Sequence, residues 1–154
     1  MYAHVLAVHS WLRWLALVTA VGATFAALRG QVSGNNSIAD RWGMFAVTAL
    51  DLQMLLGLIL YLALSPNMRP ILDNFGAAMK DPALRFWAVE HIAAMMGAVV
   101  LAHAGRVLAR KAKTSEAKRT RLLACFGLAT ILIVLGMPWP GRPGGRPLFR
   151  GLWS

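Results

Sequence analysis

Four apolar runs divide the chain, at about 4–28, 42–64, 83–105 and 120–137, and short polar or Pro/Gly-rich stretches separate them. Each run approaches the roughly 20 residues that a helix needs to cross about 30 Å of hydrocarbon. The pattern therefore predicts an all-α membrane protein, an antiparallel four-transmembrane-helix bundle that rises and falls through short loops. The punctuation supports these elements. Asp40 precedes the second run and Asp81-Pro82 the third, which reads as an N-cap followed by proline at the first helical position. Thr114 and Ser115 precede the fourth run, which stops at MPWP because Pro138 and Pro140 cannot continue a helix. The transmembrane domain is thus expected over 1–138, with a Pro/Gly/Arg-rich interfacial tail over 139–154. Between the second and third helices, ILDNFGAAM is expected to lie as a short amphipathic turn in the interface. Small residues at helix-packing spacing, Ala16 with Ala20, Gly22 with Ala26, Ala93 with Gly97 and Ala94 with Ala98, predict close helix contacts.

Composition narrows the class. Of 154 residues, 58% are hydrophobic and only 14% charged, which excludes an ordinary soluble domain. The net charge of +10 does not indicate nucleic acid, because the basic residues sit in loops and the tail, where they set topology and meet the lipid bilayer. Loops one and three carry nine Lys and Arg against six on the other side, with a dense cluster from Arg106 to Arg121. That bias puts loops one and three in the cytoplasm and both termini outside. MYAHVLAVHSWLRW lacks a basic leading segment and carries Arg13 within its apolar stretch, so it reads as a retained first helix rather than a cleaved signal peptide. The single cysteine, Cys125, leaves no disulfide framework or CxxC redox pair within one chain and reads as a small packing residue.

The candidate chemistry lies inside the apolar runs. An ionisable residue near the centre of a spanning helix costs about 2.5–3.5 kcal/mol on insertion scales, so each one raises a functional question. At about 1.5 Å per residue, His9 and His91 both fall roughly 7–12 Å below the outer boundary, on helices entering from the same side. Two imidazoles in one layer can face each other across a bundle, as axial ligation of a haem iron requires. His4 lies about 140° round the helix from His9, and His103 about 18 Å deeper than His91 and about 120° round, so both are weaker alternative ligands. Arg13 is one turn below His9 on the same face. Its expected partner is Glu90, with Asp51 second, and either carboxylate could instead orient a ligating imidazole. Arg85, near the outer mouth of helix three, is placed to meet a haem propionate.

AVHSWLRWLAL, LQMLLGLILYLALSP, RFWAVEH and the MPWP stop, in that order, resemble the small four-helix membrane proteins labelled cytochrome b or cytochrome b561-like that are abundant in Bacteroidota. The resemblance runs from about His9 to Pro140. It implies haem b held by bis-histidine ligation, with His9 and His91 at the matching positions, and electron exchange with quinone/quinol or a larger membrane redox complex. The expected location is a bacterial inner (cytoplasmic) membrane, with the termini periplasmic by the charge bias above. One departure concerns the second helix, where members often carry a histidine and this chain has Asp51 in ALDLQMLLG.

Two classes of function follow. The first is a single-haem electron carrier or oxidoreductase subunit, rather than a stand-alone enzyme, with Arg13 and Glu90 balancing charge around His9 and His91. The second is a haem-free structural or accessory subunit of a larger membrane complex, in which the same residues form a buried polar network. A small proton-coupled or substrate-binding protein built on Asp51, Glu90 and His91 is a third.

Overall fold

The computed structural model describes residues 1–149; the last five residues of the tail lie outside the described residues. Every element among the described residues is helical. α1 spans Tyr2–Leu28 and α2 Ile38–Ile59, the latter extended by a π-helical turn over Leu60–Leu64. Two short helices follow, α3 (Met68–Asp73) and α4 (Phe75–Ala78). α5 (Pro82–Arg85) runs through a second π-helical turn, Phe86–Glu90, into α6 (His91–Arg110), and α7 spans Ser115–Gly136. The continuous helices Tyr2–Leu28, Ile38–Leu64, Pro82–Arg110 and Ser115–Gly136 are long and apolar enough to cross a membrane. The chain is a multi-pass membrane protein. α1 packs on α2 and α7, and α6 on α7 and α2, which closes a four-helix ring whose α2–α6 seam is the least packed.

The helices begin and end for local reasons. Asp81 caps α5 by accepting from the Ala83 and Leu84 amides, with Pro82 at the first helical position, and Thr114 caps α7 by accepting from Ala117. At α2 the expected cap is corrected: Ser37 is the N-cap, and Asp40 is its reciprocal partner three residues on. The Ser37 hydroxyl accepts from the Asp40 amide while the Asp40 carboxylate accepts from the Ser37 amide, so two orphan donors are satisfied together. α2 therefore starts before the apolar run does, and α7 likewise starts at Ser115, because capping rather than hydropathy sets a helix end. Past α1, Gly30 has φ +71°, a left-handed conformation that lets the Gln31 amide reach back to the Ala26 carbonyl.

The core is built from alanine. Ala16, Ala20, Ala23 and Ala27 of α1 meet Ala46 and Ala49 of α2, Ala98 and Ala102 of α6 and Ala129 of α7 around the buried side chains of Leu122 and Phe126. Lipid tails are as apolar as leucine, so these helices hold together by close backbone approach rather than by burying oil. Cys125 belongs to this packing, lying against Gly105. The expected amphipathic turn is present as α3 and α4, whose Met68, Ile71 and Ala78 pack on Ala88. Residues 138–149 form no helix; they turn back over the end of the bundle, with the Arg146 amide donating to the Pro138 carbonyl.

Candidate functional site

A cavity of about 120 Å³ opens at the end of the bundle where α1 begins, between α1, α2, α6 and the returning tail. Its wall is largely apolar, with a few convergent polar groups: His9 and Arg13 from α1, Gln53 from α2, His91 from α6 and Arg146 from the tail. The histidines share a layer. Their ring centres are 6.4 Å apart with planes at 72°.

The His91 ring is fixed on both sides. Its Nδ1 donates to the Gly136 carbonyl at 2.7 Å, and since a carbonyl can only accept, the proton sits on Nδ1 and a neutral ring keeps its lone pair on Nε2. Phe86 and Trp87 pack against the ring at centroid distances of 5.8 and 5.5 Å. That carbonyl is within reach because Gly136 lacks a side chain, letting α7 lie on Ala94 and Met95 of α6. His9 is held differently. Gln53, only 7% exposed, donates its amide N–H to His9 Nε2 at 3.2 Å, which leaves the proton of a neutral ring on Nδ1. Buried His9 Nδ1 and Gln53 Oε1 then have no hydrogen-bond partner among the described residues. Gly57 admits the ring, since a Cβ there would sit 3.2 Å from His9 Cε1.

Arg13 departs from its expected pairing. It is 8% exposed and donates through Nη2 to the Leu148 carbonyl at 2.6 Å, and the Trp14 indole donates to the same oxygen at 3.2 Å. Neither Glu90 nor Asp51 reaches it. Glu90 instead takes Arg85, five residues earlier, at 2.7 Å on the exposed face. A five-residue separation is about 140° in an α-helix but stacks in the π-turn over Phe86–Glu90, so the bulge re-aims the carboxylate away from the bundle. The hydroxyl of Tyr61, in the other π-turn, donates to the Ala88 carbonyl at 2.8 Å and ties the two irregular segments together. Asp51 accepts from His103 Nε2 at 2.8 Å across the α2–α6 seam, both side chains about half exposed. His4 is exposed on the first turn of α1 and is not among the cavity-lining residues.

The structure thus brings together His9, His91 and Arg13, and leaves Glu90, Arg85, His4 and His103 outside the cavity. The third arrangement considered above, Asp51, Glu90 and His91 acting together, is not formed: the two carboxylates are held by different partners. Gln53, Gly136 and Arg146 join the site without having been singled out in sequence. Gln53 carried a signal, being polar within an apolar run, whereas a backbone carbonyl and an arginine in an aperiodic tail carry none. Among the described residues no carboxylate lines the cavity, so its two arginines face no internal counter-charge there. Arg146 lies over the Trp87 ring at 4.3 Å and Arg13 beside Trp14 at 5.3 Å.

Fold and site together define an all-helical, multi-pass membrane protein with a cationic, histidine-bearing cavity in one half of its bundle. No family model, curated protein or solved structure matches the chain.

Proposed function

We propose that the protein is a b-type cytochrome-like electron carrier of the bacterial inner membrane, holding one haem b between His9 and His91. The observation that carries this reading is the pair of imidazoles in one cavity, 6.4 Å between ring centres. His9 and His91 would hold the iron through their ring nitrogens. The hydrogen bond from His91 Nδ1 to Gly136 is the outer contact that orients a ligating imidazole and leaves Nε2 for a metal. At His9 the Nε2 lone pair is held by one hydrogen bond from Gln53, which a metal would replace. Arg13 and Arg146 suit the two propionates, since a cavity with two guanidiniums and no carboxylate favours an anionic guest. Bound haem supplies a one-electron couple. The protein's part is to fix the rings, exclude water with Phe86 and Trp87 and balance charge. The resemblance of RFWAVEH and its companion segments points the same way, with quinol or a larger membrane redox complex as electron partner. The nine-to-six bias of basic residues supports cytoplasmic loops one and three and periplasmic termini.

Two observations favour the haem-free accessory subunit instead. The cavity of about 120 Å³ lies below the roughly 300–1,000 Å³ of ordinary ligand pockets, and His9 already has Gln53. Titrating haem into the folded, detergent-purified chain separates the two readings. Saturation at one haem per chain, lost in both His9→Ala and His91→Ala, is expected of the carrier; no uptake by the folded wild-type chain leaves the accessory subunit.

A further inference from the structure

At the opposite end of the bundle a second cavity, of about 520 Å³, lies between the loop after α1, the start of α2 and the α6–α7 turn. Five basic side chains line it, Arg41, Arg106, Arg110, Lys113 and Lys118, against one carboxylate, Asp40. That carboxylate is already satisfied. Lys118 Nζ meets its Oδ2 at 2.5 Å and the Ser37 hydroxyl donates to the same oxygen at 2.7 Å, while Arg106 Nη1 donates to the Asp40 carbonyl at 2.9 Å. Lys118 and Arg106 therefore fix the wall, and the positive charge of Arg41, Arg110 and Lys113 at the exposed rim is uncompensated by any lining acid.

Neighbouring cations show by contrast what an internally used basic residue does. Arg119 donates to the carbonyls of Ala27 and Leu28, and Arg121 to that of Leu108, closing the ends of α1 and α6. The rim residues make no such bond among the described residues. Val32, Ala39 and Leu122 give the cavity an apolar floor, and the capped start of the 22-residue α7 opens into it at Thr114 and Ser115.

We propose that this cavity binds the phosphodiester of an anionic phospholipid, with Arg41, Arg110 and Lys113 as the recognition residues. A lipid is favoured over a soluble phosphate by position: the site lies where the membrane-spanning helices α2, α6 and α7 end, and a cationic rim there faces the headgroups of the leaflet the helices enter. The inference is independent of any haem in the other cavity.

The test uses the full chain in neutral detergent, exchanged against mixed vesicles of phosphatidylglycerol and phosphatidylcholine and then weighed by native mass spectrometry. One phosphatidylglycerol per chain should be retained in preference to phosphatidylcholine. At about fivefold per basic side chain, the variant Arg41→Gln/Arg110→Gln/Lys113→Gln should lose that preference by on the order of 100-fold. Arg69→Gln/Lys80→Gln/Arg142→Gln, at the other end of the bundle, should keep it. The rim side chains are exposed, so the variant should fold; if it does not, Arg41→Gln and Lys113→Gln singly should each lower the preference about fivefold. Equal retention by wild type and rim variants overturns the proposal, and so does displacement of the lipid by millimolar inorganic phosphate, which would mark a soluble-phosphate site.

Discussion

Replacing Gly136 by alanine tests the link between helix packing and the orientation of His91. A Cβ at this position would lie 2.8 Å from the Ala94 Cβ and 2.6 Å from the Met95 Cε. The methionine can swing aside, but the alanine cannot, so α7 must move off α6 or tilt locally. Either motion lengthens the 2.7 Å hydrogen bond from His91 to the Gly136 carbonyl. Alanine in a helix is favoured over glycine by about 0.5–1 kcal/mol. Overpacking opposes this with about 1–3 kcal/mol, and weakening the buried hydrogen bond adds about 0.5–1.5 kcal/mol. The net expectation is a loss of about 0.5–4 kcal/mol. Gly127, on the same helix, is the control: its nearest neighbour to an added Cβ is Thr24 Cγ2 at 3.9 Å, an ordinary contact. Gly127→Ala should therefore be neutral or stabilising by up to about 1 kcal/mol. The assay is reversible unfolding in mixed micelles, read by tryptophan fluorescence. Gly136→Ala as stable as Gly127→Ala would refute the claim that glycine is there for close approach.

Three other outcomes are expected. Asp51→Ala and His103→Ala should be non-additive in stability, with a coupling of about 0.6 and at most about 1.7 kcal/mol in a double-mutant cycle, since interhelical hydrogen bonds in membranes are weak; zero coupling would show that the pair does not form. Tyr61→Phe removes the donor to the Ala88 carbonyl between the two π-turns and should cost about 1 kcal/mol in the same unfolding assay. Arg13→Met should loosen the tail, because Arg13 and Trp14 both donate to the Leu148 carbonyl; faster chymotryptic cleavage after Leu148 and Phe149 is the readout, and an unchanged rate would show that the tail is held elsewhere.

The architecture is legible in sequence because a membrane span is the strongest periodic signal a chain carries: four apolar runs, their proline stops and the Asp81-Pro82 and Thr114 starts all mark elements that form. The layer shared by His9 and His91 is legible for the same reason, since depth follows from counting residues along straight helices. What fails is phase. The Phe86–Glu90 π-turn inserts a residue into the helical register, and Glu90, counted as a neighbour of Arg13, turns outward to Arg85. Arg13 finds its acceptor in a main-chain carbonyl 135 positions away, in a tail without periodicity, and no pattern along the chain points to such a partner. Asp51 and His103 lie on different helices at the seam of loosest packing, and their meeting depends on the rotation of α2 against α6, which tertiary packing sets. Hydropathy thus specifies where the helices are, while capping, π-turns and the returning tail decide what their polar side chains touch.

The most direct test of the central proposal is the dithionite-reduced minus oxidised difference spectrum of the purified protein, expressed with an adequate haem supply and quantified as the pyridine haemochrome. A sharp b-type α band at about one haem per chain, absent from a folded His91→Ala variant, is the predicted result. A flat spectrum from folded wild-type protein, or a band that survives in both His9→Ala and His91→Ala, would contradict it.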